Sequence, residues 1–249
     1  MTKRIAMWSG PRNISTAMMR SFSSRPDCFV SDEPFYGAFL KETGADHPMR
    51  DEVIASMETD WGKVAGAMAG DPSDGSPLWY QKQMAHHMAG PIAPDDLRGV
   101  INAFLIRDPA QMAASYARKR EEVTAADLGL SAQRAFFDRE SDRLGRTPPV
   151  VDSADVLADP EATLKLLCRA VEIDWDSAML RWPAGRHPQD GAWAPHWYGR
   201  VEESTGFERA ERDRKPDLEE CLQRVADDCM EDYRHLSHFA LKPERMGAS

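Results

Sequence analysis

The chain has 249 residues, 31 basic against 41 acidic, and a formal net charge of −10. That length suits one large domain or two small ones and buries a substantial core without disulfides or metals. The acidic balance excludes the clustered Lys/Arg surface on which general nucleic-acid or polyanion binding draws. No stretch reaches the ~20 apolar residues of a membrane span, and the apolar run at residues 5–8, after Lys3 and Arg4, is too short for a signal-peptide core. The expectation is a soluble cytoplasmic protein with no nucleic-acid or membrane partner, acting on a small molecule as a monomer or homodimer.

Short apolar runs alternate with helical periods along the chain, the pattern of a parallel α/β sheet. Residues 4–8 (RIAMW) read as a first strand, running through the turn SGPR into a helix at 13–24 with Ile14, Ala17, Met18 and Phe22 on one face. A second strand is expected at 27–31 (DCFVS), then a helix at 51–69 and a third strand at 77–82 (PLWYQK). Residues 99–106 (GVINAFLI) form an almost unbroken apolar run, as in a strand covered on both faces. Asp108 caps a helix at 110–120 with Pro109 at its first position. A helix at 131–144 precedes the last strand at 149–152 (PVVD), and helices follow at 161–170 and about 216–236. In the last, Leu218, Leu222, Val225, Met230 and Tyr233 lie on or near one stripe, expected to pack inward. Residues 182–206, with Trp182, Trp193, Trp197 and several Pro and Gly, show neither period and read as a long functional loop. Cys28, Cys168, Cys221 and Cys229 have no metal-ligand or redox spacing and read as reduced, buried thiols. The fold expected is a three-layer α/β domain of the P-loop type over residues 1–249, with about five parallel strands and a helical C-terminal part.

Two segments carry chemistry. SGPRNIST (9–16) joins a strand to a helix N-terminus, where free N–H groups and the helix dipole favour an anion. Gly10 permits close approach, Arg12 supplies charge, and Ser15 and Thr16 supply hydroxyls; the bland alternative is that the hydroxyls only cap the helix. Relative to the nucleoside-triphosphate loop, Thr16 stands at the lysine position and Ala17 at that of the magnesium hydroxyl, a poor ATPase that still suits a tetrahedral oxyanion. The second segment is Arg107 to Ser115, beginning at the carboxyl end of the strand 99–106, where α/β sheets bind ligands. Arg107 and Ser115 are close enough to share one phosphate; an ion pair with a surface carboxylate is the alternative for Arg107, and magnesium binding that for Asp108.

SGPRNIST followed by FLIRDPAQMAASY resembles the two cofactor-binding motifs of sulfotransferases that use 3′-phosphoadenosine 5′-phosphosulfate (PAPS). The resemblance implies that Gly10, Pro11, Arg12, Asn13, Ser15 and Thr16 surround the phosphosulfate, and that Arg107 and Ser115 hold the 3′-phosphate. Asn13-Ile14 stands where the family has a small Ser-Gly pair. DGAWAPHWYGRV (190–201), with Gly191 and Trp193, resembles the late loop that closes over the nucleotide. The whole string resembles a bacterial and plant sulfotransferase-like group, some labelled aminotransferase-like, although no lysine here has a pyridoxal-phosphate context.

Sulfuryl transfer is an in-line displacement in which the protein positions and neutralises, and no metal is required. The acceptor's proton calls for a base. Glu33, just after the second strand, and His86, in the lysine–histidine context after the third, are the two candidates, with His87 behind. A base role for Glu33 would draw on desolvation by Phe35, Tyr36 or Phe39. Arg12 would stabilise the transferring group, Lys82 would either steady the leaving group or be solvated, and Arg200 would add to a local positive site. His87, His196 and Phe35 are candidate acceptor contacts. The reading is a PAPS-dependent sulfotransferase acting on a hydroxyl or amine; the alternatives are a P-loop small-molecule kinase and an inactive nucleotide-binding protein.

Overall fold

The computed structural model describes residues 2–92, 94–120, 122–208 and 216–243. Strands β1 (Lys3–Ser9), β2 (Cys28–Asp32), β3 (Leu78–Met84), β4 (Val100–Ile106) and β5 (Val150–Asp152) pair in parallel in the order β2-β3-β1-β4-β5. These are the five expected runs, shifted by one or two residues at their ends. The helices are α1 (Ser15–Ser23), α2 (Tyr36–Thr43), α3 (Arg50–Ser56), α4 (Trp61–Ala69), α5 (Pro109–Tyr116), α6 (Ala125–Leu128), α7 (Leu130–Leu144), α8 (Ser153–Ala158), α9 (Pro160–Ala170), α10 (Ala194–Trp197), α11 (Gly199–Glu203) and α12 (Glu220–His238).

Side chains alternate across a strand, so β1 feeds two cores. Ile5 and Met7 join Met18, Met19 and Phe22 of α1 and Leu164, Leu167 and Cys168 of α9 on one face. Ala6 and Trp8 join Phe104 of β4, Phe136 and Phe137 of α7 and Phe35 on the other. The result is the three-layer α/β arrangement the apolar runs implied. The chain builds β2 and β3 on one side of β1 and β4 and β5 on the other, which opens a crevice beyond the carboxyl end of β1.

Several local expectations differ from the structure. The helix expected over 51–69 is two, α3 and α4, interrupted where Asp60 turns extended and its carboxylate accepts from Lys63 N to cap α4. The segment 182–206 is not wholly irregular, since it contains α10 and α11. In α12 the buried positions Ala226, Cys229 and Leu236 share a stripe with Leu222, Val225 and Tyr233, and Val225 and Tyr233 pack against the core as expected; Leu218 lies before the helix, which begins at Glu220. The four cysteines are free, as expected, yet Cys221 is exposed and Cys28 half-buried.

Gly10 is required by packing rather than by ligand approach. A Cβ there would collide with the backbone oxygen of Leu128 and reach 2.5 Å from Met112 Cε. Overpacking of this kind costs about 1–3 kcal/mol. Gly10→Ala should therefore lower the thermal midpoint by roughly 3–10 °C at this chain length, measured by circular dichroism; an unchanged midpoint would show that Leu128 and Met112 move aside freely.

Candidate active site

The turn after β1 is built so that the first turn of α1 keeps its donors free. Ile14 precedes the helix in the left-handed region (φ 50°), and no side chain caps α1, so Ser15 and Thr16 do not serve as caps. Asn13 Nδ2 donates to Leu105 O at 2.6 Å and locks the loop to the end of β4. Arg12 is also left-handed, at φ 58°, and its carbonyl accepts from Arg107 Nη1 at 2.7 Å. Pro11, Arg12, Asn13, Ser15 and Thr16 line a cavity of about 320 Å3 that also takes in Arg107, Ser115 and Arg200.

Arg107 and Ser115, expected to share one ligand, do face this cavity, but Ser115 Oγ accepts from Arg12 Nε at 3.1 Å rather than from Arg107. Asp108 caps α5 through Ala110 N and Gln111 N at 2.9 and 3.2 Å, which accounts for that carboxylate. Burial pushes the Arg12 guanidinium down, with Arg118 and Arg200 adding repulsion. Arg107 is lowered by burial and then by Arg12 and Arg200. Among the described residues neither arginine is ion-paired to a carboxylate, so the crevice carries crowded positive charge and free helix N–H groups. An anion with more than one phosphate-like group fits that donor set.

The profile of the sulfotransferase-domain family matches residues 3–228. The chain belongs to the sulfotransferase family. It is 37% identical over 204 residues to the branched-chain-amino-acid aminotransferase-like protein 2 of Arabidopsis thaliana, covering 82% of this chain and 36% of that one. The chain thus spans little more than a third of that relative's length. In fold it is similar to the sulfotransferase domain of the Synechococcus PCC 7002 olefin synthase, with a TM-score of 0.56 at 16% identity over 94% of this chain and 96% of that one. It is similar also to a sulfotransferase from Alicyclobacillus acidocaldarius, with a TM-score of 0.55 at 12% identity over 97% and 98%.

At the other side of the sulfotransferase crevice, β2 and β3 deliver Asp32 and Lys82 in register. Lys82 is 1% exposed, not solvated. Its ammonium donates to Asp32 Oδ1 and to Tyr198 Oη, both at 2.8 Å, and to the Glu33 carboxylate. Tyr198 Oη in turn donates to Asp32 Oδ2 at 2.8 Å and accepts from Trp193 Nε1 at 3.0 Å. Gly191 N donates to Asp32 Oδ2 at 3.2 Å, so Gly191 holds the late loop to β2 rather than lining the cavity, whereas Trp193 does line it. Arg20 and Asp190, both 2% exposed at their side chains, pair at 2.6 Å and fasten the same loop to α1. Asp32 and Tyr198 escaped the sequence reading; Asp32 had a signal, an acidic residue ending a strand beside Glu33, while Tyr198 had none.

Glu33 and both histidines reach the cavity wall. Desolvation raises the Glu33 carboxyl to about 7, against the pull of Lys82 and with a push from Asp32. Of the aromatic neighbours expected to do this, Tyr36 lines the same cavity as Glu33, whereas Phe35 and Phe39 do not. Phe35 is fully buried between Trp8 and Trp61 in the core and does not line the cavity. Burial lowers His86 to about 3 and His87 well below the usual imidazole range, so both are neutral. His87 lies flat against Tyr36 with centroids 4.5 Å apart. His196 stacks edge-on against Trp197 outside the cavity lining; the short helix α10 turns it away from the site. Arg200 lines the cavity but is tied to Glu208 at 2.8 Å.

The sign of the Glu33 shift is measurable. Its folded value, about 7, lies above the ordinary 4.5, so its contribution to stability is complete below about 4.5 and is lost as pH rises through 7. Wild type should lose stability relative to Glu33→Gln between those values, read as the difference in denaturation midpoint across pH 4–8. A difference that stays constant would place the Glu33 proton elsewhere.

Proposed function

We propose that this sulfotransferase-family chain transfers a sulfuryl group from PAPS to a hydroxyl or amine of a small acceptor, acting as one domain over residues 1–249. The supporting observation is the crevice itself: two guanidinium groups without carboxylate partners among the described residues and an uncapped helix N-terminus on one wall, and a carboxylate of raised pKa on the other. PAPS, when bound, supplies an activated sulfuryl group on a phosphate leaving group. The N–H groups of Ser15, Thr16 and Ala17 hold the 5′-phosphate side, and Arg107 with Ser115 holds the 3′-phosphate. Glu33 is the base. With its carboxyl near 7 it takes a proton at neutral pH, whereas His86, near 3, is too weak a base. The Glu33 carboxylate accepts the acceptor's proton while Lys82 remains paired with Asp32, so the cluster passes from one surplus negative charge to none. Met84, Tyr36 and the neutral imidazoles of His86 and His87 give the acceptor side a largely uncharged wall.

Adenosine 3′,5′-bisphosphate at about 100 times its dissociation constant should stabilise the fold by ~2.7 kcal/mol and raise the midpoint by roughly 5–10 °C. Arg107→Ala should remove most of that rise. A rise with ATP–magnesium only would instead select the kinase reading.

For turnover, Glu33→Gln should lower kcat by roughly 10²- to 10⁴-fold with bisphosphate binding kept. The wild-type rate should climb with pH through about 7, and His86→Ala should retain that limb. Full activity of Glu33→Gln would remove Glu33 from the mechanism.

A further inference from the structure

The wall beside Glu33 is made of groups that both donate and accept. His87 is 2% exposed, and its ring stacks on Tyr36 and on Phe39 with centroids 4.5 and 4.8 Å apart. Those contacts hold the ring plane, and an imidazole makes its hydrogen bonds along its edge. On that edge Nδ1 stands 3.9 Å from Glu33 Oε2, beyond hydrogen-bond distance, and among the described residues it has no partner. The His86 ring meets it edge to face at 4.4 Å, and its Nδ1 too is unpartnered. Farther along, Tyr36 Oη and His47 Nδ1 share a hydrogen bond of 2.9 Å, and burial lowers His47. Tyr36, His47, His86 and His87 all line the cavity that Glu33 faces. A neutral imidazole and a phenol each carry one donor and accept as well. A carboxylate on the acceptor molecule would bring no donor and would sit against the Glu33 carboxyl, and an ammonium would bring donors only. An alcohol with no second polar group would leave the buried Nδ1 of His87 unmet, which costs binding. A hydroxyl, donor and acceptor at once, matches the wall. Two oxygens on adjacent carbons, each about 2.8 Å from its own partner, fit across the 3.9 Å gap between Glu33 Oε2 and His87 Nδ1.

We propose that the acceptor is a small polyol with hydroxyls on adjacent carbons: Glu33 takes the proton of the one that is sulfated, and His87 is a specificity-determining residue that holds the other. The bond formed joins the first hydroxyl oxygen to sulfur, the bond broken joins sulfur to the 5′-phosphate oxygen of PAPS, and the proton rests on Glu33. This acceptor class rests on the sulfuryl-transfer reading above and can fail while that reading stands.

Acceptor-dependent release of adenosine 3′,5′-bisphosphate from PAPS by the full chain, with cyclohexanol, cis-1,2-cyclohexanediol and 1,4-cyclohexanediol, decides it. Wild type should use the 1,2-diol with a kcat/KM roughly 10- to 100-fold above that for cyclohexanol, the cost of one unmet buried polar group. The 1,4-diol, whose second hydroxyl is out of reach of His87, should behave like cyclohexanol. His87→Phe, which keeps the ring stack, should remove the preference mainly through KM and change cyclohexanol turnover by less than about twofold. His87→Asn, which returns a donor and an acceptor near the Nδ1 position, should recover most of the preference. The wild-type ranking of the three alcohols remains the test if neither variant folds. Equal wild-type kcat/KM for all three, or an equal loss on all three in His87→Phe, would overturn the proposal and leave sulfuryl transfer intact. Binding of the bisphosphate without sulfation of any of the three would overturn it while the nucleotide reading stands. Failure of wild type to bind the bisphosphate would remove the transfer reading itself, and this acceptor class with it.

Discussion

The buried ammonium of Lys82 is the interaction on which the crevice depends. Burying an isolated ammonium costs several kcal/mol unless its donors are met, and Lys82 has three N–H donors and three oxygen partners, on Asp32, Glu33 and Tyr198. Those partners come from the end of β2, the residue after it, and the late loop. One charge therefore joins two neighbouring strands to a segment more than a hundred residues away in sequence. Tyr198 Oη is used fully, donating once to Asp32 and accepting from Lys82 and Trp193. Asp32 collects Lys82, Tyr198 and Gly191 N. Removing any member strands another polar group in the interior, so the late loop is held down by satisfied polar chemistry as well as by the apolar packing of Trp193, Ala194 and Tyr198. The same grouping explains Glu33: one cation among two carboxylates leaves a surplus negative charge, and the surplus is carried by the carboxylate whose burial raises it to about 7.

Charge is sorted sharply within the molecule. A chain of net charge −10 would repel a polyphosphate at long range, yet Arg12 and Arg107 face inward at the carboxyl edge of the sheet and are lowered by burial first and then by neighbouring arginines, Arg200 among them for both. Such mutual repulsion costs stability in the free protein and is relieved by an anion placed between the charges. Screening over about 8–10 Å lets the acidic exterior and the basic crevice act almost independently. Overall charge thus bears on what approaches the surface, while the cavity's preference is set by a few buried groups.

The sheet was legible because its central strands β1 and β4 carry short apolar runs buried on two faces, and a run such as VINAFLI in β4 has no competing period. The break between α3 and α4 was not, because Asp60 and Glu58 are ordinary helix-surface residues until backbone N–H groups claim them as caps. The two phosphate-type motifs were legible because their residue types, strand context and spacing coincide, and the structure gathers Pro11, Arg12, Asn13, Ser15, Thr16, Arg107 and Ser115 around one cavity. What stayed hidden depends on direction rather than on position. Phe35 follows Glu33 by two residues but points into the Trp8–Trp61 stack. His196 is set facing away by one turn of α10. Gly10 lies in the anion loop but is demanded by Leu128, a residue of another element. Asp32, Lys82 and Tyr198 form their cluster through register and loop docking, which no local pattern encodes.

Strained backbone collects at the same place. Of the five non-glycine residues with left-handed φ among the described residues, Arg12, Ile14 and Glu33 border the crevice. Each such residue costs of order 1–2 kcal/mol, and a β-branched Ile14 is the least tolerant of it. Strain of this kind persists only where the surroundings over-determine it, and here they do. Arg107 holds the Arg12 carbonyl, Asn13 is tied to Leu105 O, and Glu33 N donates to Lys82 O at 2.9 Å. Relaxing any of the three would swing a carbonyl into the anion cradle or turn the Glu33 carboxylate away from the cavity. The strain therefore keeps N–H groups and side chains facing inward before any ligand arrives, so that little ordering is left for binding to accomplish. A loop with glycine at position 14 would avoid the strain but would have to be ordered by its ligand; the isoleucine, packed against the α1 side of the core, exchanges that flexibility for a cradle already formed.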